Sequence, residues 1–320
     1  MKYFITSDVH SYYTPFIDAL LEVYYDKNNP NHTLIVDGDL FDRGQNALIL
    51  LAFIKSIPKE NRVLIRGNHE YLLKNLLDKE YTDYYDFSNG TVSTCFQLIG
   101  SNENNDAYKR LYYEAMFSYY SSSYYSVNTD SLKKTWKTIS NKVKKTKIID
   151  WIFNSDEWCD YYELDNYIIT HAFIPVHNPT IIHMYNANVN KLEIKKDWRT
   201  DSDSYEIEQS TWGCPYKLFN AGLFNEEIKN GKTLICGHWN CSDFNEYYLG
   251  KINYDKQREN YNIFYSKHLI AIDAHTAYSG WCNVLVIEDG ECYQHNTKLA
   301  EKIKLEEMLK KDNSKEPYFI

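Results

Sequence analysis

A run of apolar residues ends abruptly in charged residues and glycines between positions 34 and 44. Residues 34–36 are typical of a buried strand. Three carboxylates, an arginine and two turn-forming glycines follow at once: Asp37, Gly38, Asp39, Asp42, Arg43 and Gly44. Carboxylates gathered at the end of a strand repel one another unless a cation neutralises them. This stretch is therefore predicted to form the centre of a metal site.

Polar residues follow apolar runs in the same way at five further places along the chain. Their side chains include the carboxylates, imidazoles and amides that divalent ions such as manganese, iron or zinc accept as ligands. The predicted ligands are Asp8, His10, Asp39, Asn68, His171 and His238. This set is too large for one catalytic ion that keeps a position open. It suits two ions that share one carboxylate, for which we select Asp39.

The elements that must position these residues alternate between strands and helices. Apolar residues at helical spacing predict helices over 12–26 and 47–57. Strands are predicted before the polar clusters, at 2–7, 34–36, 62–66, 167–170, 233–236 and 269–272. Asp289-Gly290 between two alternating runs predicts a hairpin over 283–293. The order indicates an α/β fold with polar residues at the carboxyl ends of its strands.

Residues 81–158 are rich in Tyr, Ser and Asn, carry no site motif and are predicted to form a helical insertion. Within it, Leu132, Trp136, Ile139 and Val143 recur at helical spacing among many lysines. This pattern indicates a solvated lysine-rich helix face, with recruitment of an anionic partner as the alternative. At the end of the chain, a charged helix is expected over 298–311 and a frayed tail over 312–320.

Composition narrows the classes of protein that need consideration. The 320 residues, 43% of them hydrophobic, suffice for one large domain or two small ones, and we predict a single domain over 1–320. Lys plus Arg is 35 and Asp plus Glu is 44, so the net charge of −9 argues against general nucleic-acid or anionic-membrane binding. Seven cysteines without a Cys-x-x-Cys pair indicate a reducing compartment. With no signal peptide or membrane span predicted, a cytoplasmic protein is expected.

The polar clusters also form a recognisable series. Asp8-Val9-His10, the Gly-Asp-Leu-Phe-Asp-Arg-Gly of 38–44, the Gly-Asn-His-Glu of 67–70, His171 and Gly237-His238 resemble the motif series of calcineurin-like metallophosphoesterases. Asp42-Arg43-Gly44 together with the Arg-Gly-Asn-His-Glu of 66–70 resembles the phosphoprotein phosphatase branch. The resemblance implies a sandwich of two mixed β-sheets flanked by helices, with the site at the strand ends.

This resemblance implies a role for each matching residue. One metal ion would be bound by Asp8, His10 and Asp39, and the other by Asp39, Asn68, His171 and His238. The ions would be manganese, with iron, zinc or nickel as alternatives. His69 would donate a proton to the leaving oxygen, oriented by Asp42, and Arg43 would clamp phosphate oxygens with its planar guanidinium.

Two departures from the family pattern affect the substrate site. The second phosphate-binding arginine that usually follows a tryptophan is missing after Trp212. Arg199 is the candidate to replace it, with an ordinary surface arginine as the alternative. Relatives tend to have Asp-Thr-Gly where this chain has Asp-Ala-His at 273–275. We expect His275 to be structural or to support the ligands rather than bind metal, and Tyr278 to reach the substrate.

The leading hypothesis is a phosphatase that hydrolyses phosphomonoesters, in particular phosphoserine or phosphothreonine in proteins, by attack of a hydroxide that bridges two metal ions. A symmetrical diadenosine-tetraphosphate hydrolase resembles the same series, often with the Gly-His-Trp seen at 237–239, and is the second hypothesis. A non-catalytic scaffold is the third, although no family ligand is missing. The expected partner is a phosphorylated protein or a small phosphoester, and the sequence leaves the oligomeric state open.

Overall fold

The computed structural model describes residues 1–120, 129–177, 194–195, 197–220, 228, 231–250, 258–289, 291–294 and 303–304. Its strands are β1 Lys2–Thr6, β2 His32–Asp37, β3 Arg62–Ile65, β4 Trp158–Cys159, β5 Tyr162–Leu164, β6 Tyr167–Ile169, β7 Thr233–Cys236, β8 Phe264–Tyr265, β9 Leu269–Ala271, β10 Leu285–Glu288, β11 Glu291–Gln294 and β12 Ile303–Lys304. Its helices are α1 Tyr13–Glu22, α2 Ala47–Ser56, α3 Asn68–Asp78, α4 Tyr84–Ser88, α5 Thr91–Leu98, α6 Asp106–Tyr120, α7 Thr129–Lys145, α8 Trp198–Asp201, α9 Ser204–Ser210, α10 Pro215–Asn220, α11 Cys241–Leu249 and α12 Thr276–Ser279. Short 3-10 turns at Lys59–Asn61 and Arg258–Tyr261 and a π-helical turn at Asp150–Asn154 complete the described elements.

The described strands form two mixed sheets. The first has the order β12-β11-β10-β1-β2-β3-β4, in which β1 to β4 run parallel and the β10–β11 hairpin pairs antiparallel with β1. The second has the order β5-β6-β7-β9-β8, with β6, β7 and β9 parallel and the two edge strands antiparallel to them. Parallel strands end at the same edge of a sheet, so the fold gathers the polar residues that follow them.

Alternation along the strands explains why the two sheets stack. On one face of the first sheet, Ile5, Ile35 and Ile65 are fully buried and pack in one cluster with Ile169 and Ile235 of the second sheet. The residues between them point to the other face, where they pack against flanking helices: Phe4, Leu34, Val36 and Leu64. The outer face of the second sheet is covered in the same way by α10 and α11. The predicted sandwich of two mixed sheets flanked by helices is therefore confirmed.

The carboxyl-terminal predictions have a mixed outcome. The hairpin predicted over 283–293 is present as β10 and β11, and Asp289 in its turn has a left-handed backbone with φ 53°. The helix predicted over 298–311 is wrong at 303–304, which form β12 and pair antiparallel with β11. Local charge periodicity does not reveal such cross-strand pairing. The rest of that segment, and the tail predicted over 312–320, lie outside the described residues.

Between 81 and 158, the described residues are mainly helical and share a core with the first sheet. Trp136, Ile139 and Val143 of α7 are buried in the same cluster as residues of β2 and α3. The indole Nε1 of Trp136 donates to the carbonyl oxygen of Lys79, 3.2 Å away. Lysines on the opposite face of α7 form exposed ion pairs, such as Lys144 with Asp78 at 2.9 Å. Such pairs contribute little to stability, so the buried face is what attaches α7.

Substitution of Trp136 tests whether these helices and the sandwich unfold together, as the single-domain prediction requires. We expect Trp136→Ala to lower the free energy of unfolding by about 3–5 kcal/mol, because the indole is fully buried. Urea denaturation followed by circular dichroism should show one transition that moves as a whole. Lys137→Ala, at an exposed neighbouring position, should change stability by less than about 0.5 kcal/mol. Two transitions, only one of them shifted by Trp136→Ala, would contradict the prediction.

Candidate active site

Five of the parallel strands deliver the predicted metal ligands to one place. Asp8 and His10 follow β1, Asp39 follows β2 and Asn68 begins α3 directly after β3. From the second sheet, His171 follows β6 and His238 follows β7. All are buried except His238, which is half-buried. Two groups of three side chains each have ligand atoms that all lie within 4.8 Å of one another. The first group is His10, Asp39 and His69, and the second is Asp39, His171 and His238. Asp39 is common to both groups.

The two carboxylate oxygens of Asp39 contact different partners. Oδ1 accepts a hydrogen bond from the backbone N–H of His69 at 2.9 Å and lies 3.3 Å from Nε2 of His171. Oδ2 lies 3.6 Å from Nε2 of His10 and 3.8 Å from Nε2 of His69. Burial alone would raise the pKa of Asp39, but the neighbouring imidazoles hold it well below its usual range. Such a carboxylate is suited to bridge two cations.

Two histidines are oriented by backbone carbonyl groups on the strand ends. Nδ1 of His10 donates to the carbonyl oxygen of Phe41, and Nδ1 of His171 donates to that of Asp37, both at 2.9 Å. The Nε2 atoms are thereby turned toward Asp39, an arrangement common among metal-binding histidines. Nε2 of His10 is buried without a hydrogen-bond partner among the described residues. Burial and the charge of Arg43 keep the pKa of His10 well below its usual range, so its lone pair is available to a metal.

The remaining predicted ligands complete a set of converging acceptor atoms. Oδ1 of Asn68 lies 3.0 Å from Nε2 of His171. Oδ2 of Asp8 accepts from the backbone N–H of His238 at 2.9 Å, and burial raises the pKa of Asp8 to about 6. Acceptors that converge in a buried site require positive charge among them. The donor set therefore fits divalent ions, although ligation itself stays a prediction.

Glu70 ties two of the strand ends together, a role that sequence reasoning did not assign. Its carboxylate accepts hydrogen bonds from the backbone N–H groups of Asp39, Leu40 and Gly67 at 2.8–3.0 Å. Gly67 allows this close approach, because a Cβ there would lie 2.3 Å from Oδ1 of Asp39. The loops after β2 and β3 are thus held as one unit.

One histidine of the first ligand group, His69, is also paired with a second carboxylate. Nδ1 of His69 donates to Oδ2 of Asp42 at 2.7 Å. Nη2 of the exposed Arg43 donates to Nε2 of His69 at 3.3 Å, so both side chains face the same space. Burial by itself lowers the pKa of His69, but the charges of Asp39 and Asp42 leave it raised. The raised pKa favours protonation of Nε2 once Arg43 no longer donates to it.

Helix α5 supplies two further contacts that sequence reasoning missed. The hydroxyl of Thr91 donates to Oδ2 of Asp42 at 2.7 Å, and the hydroxyl of Thr94 accepts from the backbone N–H of Asp42 at 3.0 Å. The Asn89-Gly90 pair is a turn signal that marks where α5 begins. Nothing local indicates that the turn packs against residues about 50 positions earlier.

Arg199, suggested for the missing phosphate contact, and Tyr278, expected to reach the substrate, have other contacts in the structure. The guanidinium of Arg199 donates through Nε and Nη2 to the carboxylate of Glu163 on β5 and lies 4.3 Å from the ring of Trp198. Tyr278 is exposed and its ring stacks on that of His275 at 5.2 Å. Substrate binding by Arg199 and Tyr278 stays a prediction.

His275 is absent from both candidate ligand groups found among the described residues. It has a left-handed backbone with φ 53°, and its backbone N–H donates to Oδ1 of Asp273 at 2.6 Å. Burial and the charge of Arg43 lower its pKa to about 4, so the ring is neutral. These contacts agree with a structural role.

Left-handed backbone conformations concentrate around the site. Non-glycine residues rarely adopt them unless the surroundings over-determine the conformation. The site residues with φ between 49° and 74° are Asp8, His10, Ser11, Asp39, Asp42, Arg43, His238 and His275.

Comparison with known proteins agrees with the geometry of the site. A family model described as calcineurin-like phosphoesterase matches residues 1–315. Curated relatives include the symmetrical bis(5'-nucleosyl)-tetraphosphatases of Haemophilus ducreyi, 38% identical over 79 residues (24% of this chain, 28% of the relative), and of Colwellia psychrerythraea, 34% identical over 70 residues (22% and 24%). The matched segment spans about a quarter of each relative's length.

Solved structures that match the chain include two phosphatases. One is a cold-active protein-tyrosine phosphatase of a Shewanella species, with 15% identity, coverage of 95% of this chain and 80% of that chain, and a TM-score of 0.48. The other is a protein serine/threonine phosphatase from Saccharomyces cerevisiae, with 13% identity, coverage of 95% and 78%, and a TM-score of 0.38.

In the described part of the chain, every helix is too short or too polar to cross a bilayer.

Neutralising Asp39 tests its predicted position between two metal ions. We expect Asp39→Asn to weaken binding of both ions by about tenfold or more, because both groups of donors lose their shared charge. Isothermal titration of the metal-free protein with Mn²⁺ gives the affinity and stoichiometry.

Asp37→Asn is the matched control, since it makes the same change two residues earlier. The Asp37 carboxylate is buried, as that of Asp39 is. This variant should still bind two ions, and retention of two tightly bound ions by Asp39→Asn would disprove the bridge.

Proposed function

Because this chain belongs to the calcineurin-like phosphoesterase family, we propose that it hydrolyses phosphoesters at the site formed by its strand ends. One observation carries the proposal: the His69–Asp42 pair and the guanidinium of Arg43 adjoin the predicted metal ligands, with a ring nitrogen of His69 within 4.8 Å of ligand atoms of His10 and Asp39. A proton donor, an anion-binding group and a cation site are the parts that phosphoester hydrolysis needs.

The candidate ligands divide into two sets around Asp39. His10 and Asp8 would hold one ion with Asp39, and the other would be held with Asp39 by Asn68, His171 and His238. Divalent ions bound there would supply Lewis acidity and a water of lowered pKa as the nucleophile. Manganese is the ion we propose to test first, with iron, zinc and nickel as alternatives.

The side chains themselves position the phosphate and supply a proton. Arg43 presents a planar guanidinium that can donate two parallel hydrogen bonds to phosphate oxygens. Once Arg43 turns to the phosphate, Nε2 of His69 would be able to carry a proton and give it to the leaving oxygen. Asp42, bonded to Nδ1, keeps the ring oriented and stabilises its protonated form.

We propose phosphomonoesters of alcohols as the substrates, in particular phosphoserine and phosphothreonine in proteins. An alkoxide is a poor leaving group, so breaking its bond to phosphorus benefits most from protonation. A nucleotide phosphate departs as a stable anion and depends less on an acid. The buried and carboxylate-oriented His69 therefore supports an alcohol leaving group.

The second candidate is a symmetrical dinucleoside tetraphosphatase. Both curated relatives reported above carry that name, which is the specific observation in its favour. Trp239, in the Gly-His-Trp of 237–239, donates from Nε1 to the carbonyl oxygen of Gly213 at 2.8 Å and so joins the His238 loop to the preceding region. The ligand cluster would serve a pyrophosphate bond equally well. A non-catalytic scaffold would not need the complete set of ligands and proton donor that the chain retains.

A substrate panel separates the two enzymatic candidates. The Mn²⁺-loaded protein should release phosphate from phosphoserine and phosphothreonine peptides and from p-nitrophenyl phosphate. Its kcat/KM for diadenosine tetraphosphate should be at least tenfold lower than that for the better peptide. Hydrolysis of the dinucleotide alone would replace the first candidate by the second, and no turnover of any substrate would favour the scaffold.

Substitution of His69 tests the proposed proton donor. We expect His69→Asn to lower kcat on phosphopeptides by roughly 10²–10⁴-fold, because the leaving oxygen would depart unprotonated. Metal content, measured by mass spectrometry, should stay the same. His32→Asn makes the same change at the far end of β2 and should leave kcat within about twofold. An unchanged kcat in His69→Asn would remove His69 from this role.

A further inference from the structure

The carboxylate of Asp42 makes all of its described side-chain hydrogen bonds through one oxygen. Oδ2 accepts from Nδ1 of His69 and from the hydroxyl of Thr91, both at 2.7 Å. Oδ1 is buried and has no hydrogen-bond partner among the described residues. The terminal torsion of an aspartate is broad, so a single donor would not hold the carboxylate plane. Two donors on one oxygen, reaching it from different elements, restrict that rotation.

Among the described hydrogen bonds, none joins the hydroxyl of Thr91 to its own helix, α5. Thr91 is the first residue of α5, and the preceding Gly90 caps the helix without a side-chain hydrogen bond. The side chain is 1% exposed, so water does not compete for the hydroxyl. Its single described side-chain hydrogen bond is the one to Asp42. A buried hydroxyl used in this way points to a role in the neighbouring loop rather than in the helix.

The start of α5 packs closely against the loop that carries Asp42 and Arg43. A Cβ at Gly90 would lie 2.2 Å from the backbone nitrogen of Arg43, so only glycine allows this contact. Thr94, one turn later, accepts from the backbone N–H of Asp42. Asp42 and Arg43 both have left-handed backbones, with φ 74° and 57°. Contacts from α5 thus hold a loop conformation that the loop would not favour alone.

We propose that Thr91 is a positioning residue for proton transfer, which acts by fixing the Asp42 carboxylate so that His69 presents Nε2 to the leaving oxygen. This inference rests on the proposed phosphoester hydrolysis. In that reaction a water gives one proton to solvent and its oxygen forms a bond to phosphorus, while the bond from phosphorus to the leaving oxygen breaks. The electron pair stays on the leaving oxygen, which takes the proton from Nε2 of His69, and solvent later returns a proton to the ring.

The test removes the hydroxyl of Thr91 and varies the leaving group. Thr91→Val keeps the shape of the side chain, and Thr91→Ser keeps the hydroxyl. Each Mn²⁺-loaded enzyme is assayed with phenyl phosphate, which has a poor leaving group, and with p-nitrophenyl phosphate, which has a good one.

We expect Thr91→Val to lower kcat about 10–100-fold on phenyl phosphate and less than about threefold on p-nitrophenyl phosphate. The loss on phenyl phosphate should be smaller than the loss that His69→Asn causes on the same substrate. KM should be unchanged for both substrates, and Thr91→Ser should stay within about threefold of wild type. If Thr91→Val does not fold, Thr91→Ala removes the same hydroxyl and carries the same expectation.

A double-mutant cycle shows whether Thr91 acts through Asp42. In an Asp42→Asn background, Thr91→Val should cause little further loss, because the carboxylate it would orient is gone. An additive loss, an equal loss on both phosphates, or failure of Thr91→Ser to preserve kcat would overturn the inference.

The His69→Asn enzyme distinguishes this failure from failure of the proposed function. If His69→Asn loses more kcat on phenyl phosphate than on p-nitrophenyl phosphate while Thr91→Val does not, only the role of Thr91 is overturned. If wild type is inactive on both substrates, or His69→Asn shows no leaving-group dependence, the proposed function fails and the inference fails with it.

Discussion

Burial of the Asp39 carboxylate is the constraint on which the rest of the site depends. The side chain is almost completely removed from solvent, and an isolated ionised carboxylate in such a place would be strongly unfavourable. Its two oxygens are instead surrounded by imidazole nitrogens and one backbone N–H. Placing these partners around one carboxylate requires residues from both sheets. The sandwich meets this requirement because its parallel strands end along neighbouring edges.

The same constraint explains where irregular backbone occurs. Residues that follow the strands must turn sharply for their side chains to face Asp39, and many of them adopt left-handed conformations. Such conformations persist only when other contacts hold them. Glu70 provides three of these contacts between the loops after β2 and β3, and the carbonyl groups of Phe41 and Asp37 provide two more to the histidine rings. The loops that hold the site are therefore rigidly connected to the sheets.

The helices between 81 and 158 have a more direct relation to the site than their composition indicates. Helix α7 attaches to the sandwich by ordinary apolar packing. The start of α5, however, contacts the loop that carries Asp42 and Arg43 through two threonine hydroxyls and a glycine. Proton donation by His69 would thus depend on the region of the chain that carries no family motif. The relatives named for tetraphosphate hydrolysis align over only about a quarter of their length.

The sequence alone determined the α/β order of elements, the strand ends that carry polar residues and the identity of the side chains that meet around Asp39, whereas the sandwich was implied by the family resemblance. These features have local signals, namely apolar runs, glycines and the spacing of carboxylates and histidines within short motifs. Only the tertiary structure decided that Thr91 contacts Asp42, that Glu70 joins two loops, that Arg199 pairs with Glu163 and that 303–304 form a strand. Each of these contacts joins segments whose separation follows no period, so it depends on how helices and sheets pack and leaves no pattern in the local sequence.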